Sequence, residues 1–390
     1  MVFASPSRRP HFVPLVAGVA FVLLLAGCGG SSATSVPATS GATGGSPVAS
    51  GGGASASTFS AAKGCKHVAF LSPDTTAGGR WEAYDHPLTA AAVTAALPGV
   101  TFDAVNAQNS TETQLTQASS ELTKGACILI VVAVDSTSAA AIVQKAKASN
   151  VPVIAYDRLI QDNDLAYYAT FDNVKVGETQ GQYIKDHHKK GDNVAMINGS
   201  QTDNNALLFA QGAHNILDPL FASGELHKVY EQYTPMWTAA TAQTEMAAAL
   251  TTNNNNIQVA YVANDGMADA AVAALKAQSL NGKVLVTGQD AELAAVRDIL
   301  TGDQSMTVYK PIKKLADSVG KLVAAMSNGT STSEIATGQS KTTGGATIPS
   351  IFNQVTAVDK SNVATTVVAD GFLTKADLCK DLPAGTGGLC

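Results

Sequence analysis

From Lys66 onward the chain carries one dominant constraint, a regular alternation of short apolar runs with helix-length stretches. The runs fall at 67–72, 100–105, 128–134 and 151–155. A second set follows at 193–197, 228–230, 258–263, 283–287 and 306–309. Between them lie stretches such as 82–97, 111–124, 174–189 and 205–220. Apolar runs of this length between helices read as strands of parallel sheets, buried on both faces and linked by right-handed crossovers. Nine such strands in 390 residues suit two sheets better than one. The segment 167–173 (YYATFDN) breaks the rhythm between the two sets and reads as a crossover. The polar tract 330–347 reads as a surface loop ahead of another crossover near 348–355. The expected fold class is α/β, with parallel sheets in two lobes.

The start of the chain has a different character. Arg8 and Arg9 precede an apolar run over 13–26, broken only by Pro14 and Gly18 and ending in Leu25-Ala26-Gly27-Cys28. This is the pattern of an export signal, shorter than the roughly 20 apolar residues of a bilayer crossing. Its end resembles the lipobox of bacterial lipoproteins. That implies a signal peptide over 1–28 and an acylated Cys28 holding the protein to the outer face of a membrane without spanning it. Residues 29–65, rich in Gly, Ser, Ala and Thr, read as a flexible tether. Four further cysteines suggest two disulfides outside the cytoplasm. Cys65 and Cys127 each precede an apolar run, so they meet at one sheet end if those runs are adjacent parallel strands. Cys379 and Cys390 would then close a short C-terminal loop. Three pairings are open at this point. The formal net charge of −6, with no dense Lys/Arg block, speaks against a nucleic-acid partner.

Open parallel sheets place ligands at the carboxyl ends of their strands. Past those ends stand Gly78-Gly79-Arg80-Trp81, Tyr156-Asp157-Arg158, Asp203-Asn204-Asn205, Trp237, Asn264-Asp265, Gln289-Asp290 and Tyr309-Lys310. Carboxylates, guanidinium, ammonium and amide groups are what the hydroxyls of a sugar need, because each hydroxyl both donates and accepts. Indole rings cover its C–H faces. Counting Asp265, four acids face two arginines and one lysine. Any one of these residues alone also fits a helix cap, a turn, a surface ion pair or ordinary packing. Their joint placement at one sheet edge favours a site. His187-His188 lacks metal-ligand spacing and suits a helix C-terminus. No Walker A, G-x-S-x-G or H-E-x-x-H motif occurs, so no metal, cofactor or catalytic residue is assigned.

At these loops the chain resembles the periplasmic D-xylose-binding proteins of type I ABC sugar importers, from about His67 to about Thr374. The matching segments include Arg80-Trp81, Ala155-Tyr156-Asp157-Arg158, Phe171-Asp172-Asn173, Asp203-Asn204-Asn205-Ala206, Gly288-Gln289-Asp290-Ala291 and Met306-Thr307-Val308-Tyr309-Lys310-Pro311. The resemblance implies two Rossmann-like lobes joined by three crossovers, the type I periplasmic-binding-protein fold. The N-terminal lobe is then expected over 66–171 and 311–345, the C-terminal lobe over 172–310 and 346–378, and a tail over 379–390. Sugar contacts carried over by resemblance are Arg80, Asp157, Arg158, Asp203, Asn205, Asn264, Asp290 and Lys310, with Trp81 and Trp237 as stacking aromatics. The long tether, the two cysteine pairs and the weakly charged segment 72–79 depart from the family pattern. The expected function is capture of a monosaccharide, D-xylose first, by hinge closure, and delivery to a permease with its ATPase by a monomer outside the cytoplasm. Glucose, galactose or arabinose binding and sugar sensing are alternatives. A glycosidase is disfavoured, because adjacent Arg and Lys keep the carboxylates ionised. A sugar-responsive repressor is disfavoured by the export signal and by the lack of a helix-turn-helix ahead of Lys66.

Overall fold

The computed structural model describes residues 59–74 and 80–390. The export signal, Cys28 and most of the expected tether lie outside the described residues, as do Gly78 and Gly79. Packed structure already begins at Phe59: a short turn over Ser60–Ala62 buries Ala62 in the core and leads into a buried Cys65. The expected start at Lys66 is therefore several residues late.

The N-terminal lobe opens with β1 (His67–Ser72), a π-helical turn at Trp81–Asp85 and α1 (His86–Ala96). It continues through β2 (Thr101–Asn106), α2 (Thr111–Thr123), β3 (Ile128–Val131), α3 (Ala140–Ala148), β4 (Val153–Tyr156) and β5 (Tyr167–Phe171). Along β1 the side chains alternate, Val68 and Phe70 entering one core and Ala69 and Leu71 another. Both faces are thus buried, as the unbroken apolar run predicted.

The chain then crosses over. The second lobe comprises α4 (Asn173–His187), β6 (Asp192–Asn198), α5 (Asn204–Ala222), β7 (Leu226–Tyr233), α6 (Ala239–Thr252) and β8 (Val259–Val262). After these come α7 (Asp265–Ala277), β9 (Leu285–Val286), α8 (Leu293–Thr301) and β10 (Met306–Tyr309). Helices α4 and α5 lie unusually close. A Cβ on Gly177 would come within 1.9 Å of the Phe209 carbonyl, and one on Gly212 within 2.0 Å of the Val174 carbonyl. Only glycine permits this reciprocal contact between α4 and α5.

A second crossover enters α9 (Ile312–Asn328), whose Leu315, Val319, Leu322 and Val323 pack into the N-terminal core. Strands β11 (Gly338–Lys341) and β12 (Thr347–Asn353) follow, then β13 (Thr356–Asp359) and α10 (Lys375–Cys379). The first sheet has order β11-β12-β5-β4-β3-β1-β2, parallel except for β11. The second has order β7-β6-β8-β9, and an antiparallel β10-β13 pair is linked to it by a bridge between Gln289 and Val308.

Two lobes and three crossovers are thus present, but one boundary moves. Residues 346–353 were expected in the C-terminal lobe, yet β12 pairs in parallel with β5 and belongs to the first. The third crossover falls between Asn353 and Thr356. The tail is closed by the expected Cys379–Cys390 bridge, and Leu389 packs on the cluster of Val296, Ile299 and Leu300. The other disulfide joins Cys65 to Cys127. Among the described residues no helix is long and apolar enough to cross a membrane.

Candidate functional site

All ten residues singled out in the sequence line one narrow cavity between the lobes, together with Phe209 and Gln289. Each of the ten is buried. Arg80, Trp81, Asp157 and Arg158 come from the N-terminal lobe, while Asp203, Asn205, Trp237, Asn264 and Asp290 come from the C-terminal lobe. Lys310 stands at the second crossover, between β10 and α9.

Arg80 is the hub. Its Nε and Nη2 donate to the two carboxylate oxygens of Asp85 at 2.9 Å each. Nη1 reaches Asp290 Oδ1 at 2.9 Å, and Nη2 also reaches Asp157 Oδ2 at 3.1 Å. The guanidinium carbon lies 4.3 Å from the centre of the Trp81 ring, which fixes the indole as a wall. Lys310 Nζ stands 3.3 Å from Asp290 Oδ1. On the other side Arg158 Nε meets Asp203 Oδ2 at 2.9 Å, and Trp237 Nε1 donates to the same oxygen at 3.2 Å. Asn205 donates from Nδ2 to Asp157 Oδ1 at 3.1 Å, and its Oδ1 accepts from Asn173 at 2.8 Å. The pairs Arg80–Asp290, Arg158–Asp203 and Asn205–Asp157 each join one lobe to the other.

Helix starts place several of these groups. Asp203 caps α5 by accepting from the Asn205 N–H, and Asn264 caps α7 by accepting from the Met267 N–H. Trp237 fits because its neighbour is Gly199, where a Cβ would sit 2.0 Å from the indole. Its edge meets Phe209 at a centroid distance of 6.2 Å. Asp157, Trp237 and Asp290 all have left-handed backbone, with φ of 61°, 57° and 97°. Such conformations cost energy in residues with a Cβ and gather where function demands them.

Among the ten, three carboxylates face three cations, so their formal charges cancel. Burial works against the charge on Arg80, but Asp85, Asp157 and Asp290 outweigh it and hold the guanidinium protonated well beyond its ordinary range. Burial likewise opposes ionisation of Asp157, and Arg80, Lys310 and Arg158 together pull it below the usual carboxylate range. Asp203 is raised, since burial there exceeds the help from Arg158. The Trp81 indole N–H and the Gln289 side-chain oxygen, both buried on residues lining the cavity, have no partner within the protein.

The structure also corrects the sequence reading. Asp265, counted as a fourth acid of the site, turns away from it and accepts from Gln304, Thr307 and the Glu292 N–H. Burial raises it to about 8. Tyr309 points its hydroxyl at Asp370. Phe209 and Asp85 were missed. Phe209 lies four residues after Asn205 on α5, a spacing that puts both on one helix face and could have revealed it.

The known proteins agree with this architecture. Residues 68–331 match the model of the periplasmic binding protein domain. The D-xylose-binding periplasmic protein of Haemophilus influenzae is 39% identical over 265 residues, covering 68% of this chain and 79% of that protein. Its Escherichia coli namesake is 37% identical, covering 70% and 82%. Among solved structures, an ABC transporter solute-binding protein from Clostridium phytofermentans with bound β-D-glucose superposes with a TM-score of 0.73. It is 29% identical and covers 80% of this chain and all of that one. These relatives are binding proteins rather than enzymes, so the carboxylates have no glycosidase role to fill. With its two lobes, three crossovers and interlobe cavity, the chain belongs to the periplasmic binding protein family.

Proposed function

We propose that the chain captures an aldopyranose, D-xylose first among them, in the interlobe cavity and delivers it to an ABC importer. The observation that carries this reading is the cavity wall. Three carboxylates, three cations and three amides are interleaved there, with an indole on either lobe. A ring of hydroxyls can donate to Asp157, Asp203 and Asp290 while accepting from Arg80, Arg158, Lys310 and the asparagines. Trp81 and Trp237 suit the apolar C–H faces. A neutral ligand leaves the balanced charge undisturbed. Because the wall is divided between the lobes, a bound sugar adds bonds only in the closed form and shifts the hinge equilibrium toward it. The closed monomer then presents its surface to the permease, whose ATPase drives import, and no bond in the ligand is made or broken. Glucose is the second candidate, in view of the glucose-bound relative at 29% identity.

Cys28 would tether the protein outside the membrane. A Cys28→Ser chain released into the medium, without incorporated fatty acid, supports the anchor; a Cys28→Ser chain still held on the membrane overturns it. Calorimetry against xylose, glucose, galactose and arabinose tests the binding. One site per chain is expected, with the sugar recovered unaltered and the heat lost in Asp290→Ala and Trp237→Ala. Absence of affinity for every aldopyranose in the panel refutes the reading.

A further inference from the structure

At the far end of β1, about 16 Å along the strand from the ligand loops, a second cluster of chemistry-bearing groups converges. His67 opens β1, and Asp103 lies on β2, diagonal to it in a register that pairs His67 with Thr101. Glu121 reaches them from the last turn of α2. His67 Nε2 stands 3.1 Å from Asp103 Oδ2 and 3.7 Å from Glu121 Oε2. The three ligand atoms all lie within 4.8 Å of one another.

Glu121 is only 1% exposed, and its two oxygens differ. Oε1 accepts from Lys124 Nζ at 2.8 Å, whereas Oε2, turned toward the imidazole, has no hydrogen-bond partner. A buried carboxylate oxygen without a donor is costly.

We propose that His67, Asp103 and Glu121 form a site for a divalent transition-metal ion of zinc's type. Bonds of about 2.0–2.2 Å at tetrahedral angles put ligand atoms roughly 3.3–3.6 Å apart. The separations of 3.1 and 3.7 Å fall on either side of that range and the third pair lies within 4.8 Å, so side-chain shifts that replace the His67–Asp103 hydrogen bond complete the geometry. One imidazole with two carboxylates selects zinc or a neighbouring transition ion over calcium or magnesium, which prefer all-oxygen sets. The ion supplies the missing partner of Oε2, and solvent on the half-exposed Asp103 side supplies the fourth ligand. Lys124 remains on Oε1 as an outer donor. Its ammonium, 3.8 Å from Asp103 Oδ2, opposes the added charge. A bound ion ties β1, β2 and α2 together beside the Cys65–Cys127 bridge, whose Cys127 sulfur already touches the His67 backbone.

The test titrates the disulfide-intact protein with zinc chloride by calorimetry, alongside Glu121→Gln, His67→Gln and Lys124→Met. Circular dichroism and metal-free melting serve as folding controls. One zinc per chain is expected, bound at least tenfold more weakly in Glu121→Gln and His67→Gln and severalfold more tightly in Lys124→Met. The proposal is overturned by the absence of a saturable site, by equal zinc binding in Glu121→Gln, or by a Lys124→Met variant that binds no more tightly. If a ligand variant does not fold, zinc-edge anomalous scattering from wild-type crystals decides. A peak among the three ligand atoms supports the site, and a peak elsewhere or none refutes it.

Discussion

Asp85 never faces the cavity, yet the geometry makes it the residue that aims Arg80. It is fully buried and spends both oxygens on one guanidinium, in charge-assisted bonds of 2.9 Å. Asp85→Asn keeps the shape and one acceptor, but sets an NH2 group against the other guanidinium donor. A hydrogen bond to a charged group is worth about 1.5–3 kcal/mol, so the loss of one predicts about 2 kcal/mol of destabilisation. The figure stays below the 3–5 kcal/mol typical of a broken buried pair, because Asp157 and Asp290 still neutralise Arg80. Freed on one side, the guanidinium swings toward those two carboxylates and occupies oxygens that the proposed reading assigns to the sugar. An affinity loss of tenfold or more follows, since 1.4 kcal/mol corresponds to a factor of ten. It should show as faster release rather than slower capture, because the encounter surface is unchanged. Urea unfolding measures the first quantity, and calorimetry with stopped-flow fluorescence the second. A variant destabilised by about 2 kcal/mol that binds its sugar within twofold of wild type refutes the positioning role and leaves Asp85 a core ion pair.

Two further outcomes follow from the same structure. Burial raises Asp265 to about 8, and burial with the charges of Asp265 and Asp290 raises Glu292 to about 9. The folded chain then holds protons that the unfolded chain has already released above the ordinary carboxylate range. This contribution to stability is full below about pH 4 and lost as pH climbs through 8 to 9. Urea midpoints should fall between pH 5 and 9, less steeply in Asp265→Asn, and a wild-type midpoint flat over that range contradicts the assignment. Replacing Cys65 and Cys127 by serine opens a loop with a sequence separation of 62, worth about 4 kcal/mol in the chain-entropy model. Denaturant unfolding of the double variant tests this, and a loss below about 1 kcal/mol refutes it.

What the sequence revealed and what it hid divide along one physical line. Strands such as 67–72 and 128–134 were legible because burial on both faces of a parallel sheet demands an unbroken apolar run. Residues just beyond such runs must converge at one edge, so all ten reached the cavity together. The misreadings required partners distant in sequence. Nothing local to 347–353 says that β12 pairs with β5, whose partners lie 182 residues earlier. Asp265 follows Asn264 in a helix-start pattern that suits either direction, and Gln304, Thr307 and the Glu292 N–H turn it inward. Asp85 was hidden because 82–97 reads as plain α-helix. The π-helical turn that carries it back onto Arg80 adds a residue to one turn without a local sequence mark. The backbone at Trp237 is the sharpest case, since glycine, asparagine or aspartate is what usually takes such φ values, as Asp157 and Asp290 do. Asn205 and Arg80 hold Asp157 and Asp290 across the cleft, and Asp203 holds Trp237 from within its own lobe. Local preference is overridden where the two lobes meet, as expected if the cavity rather than the strand ends is what the fold serves.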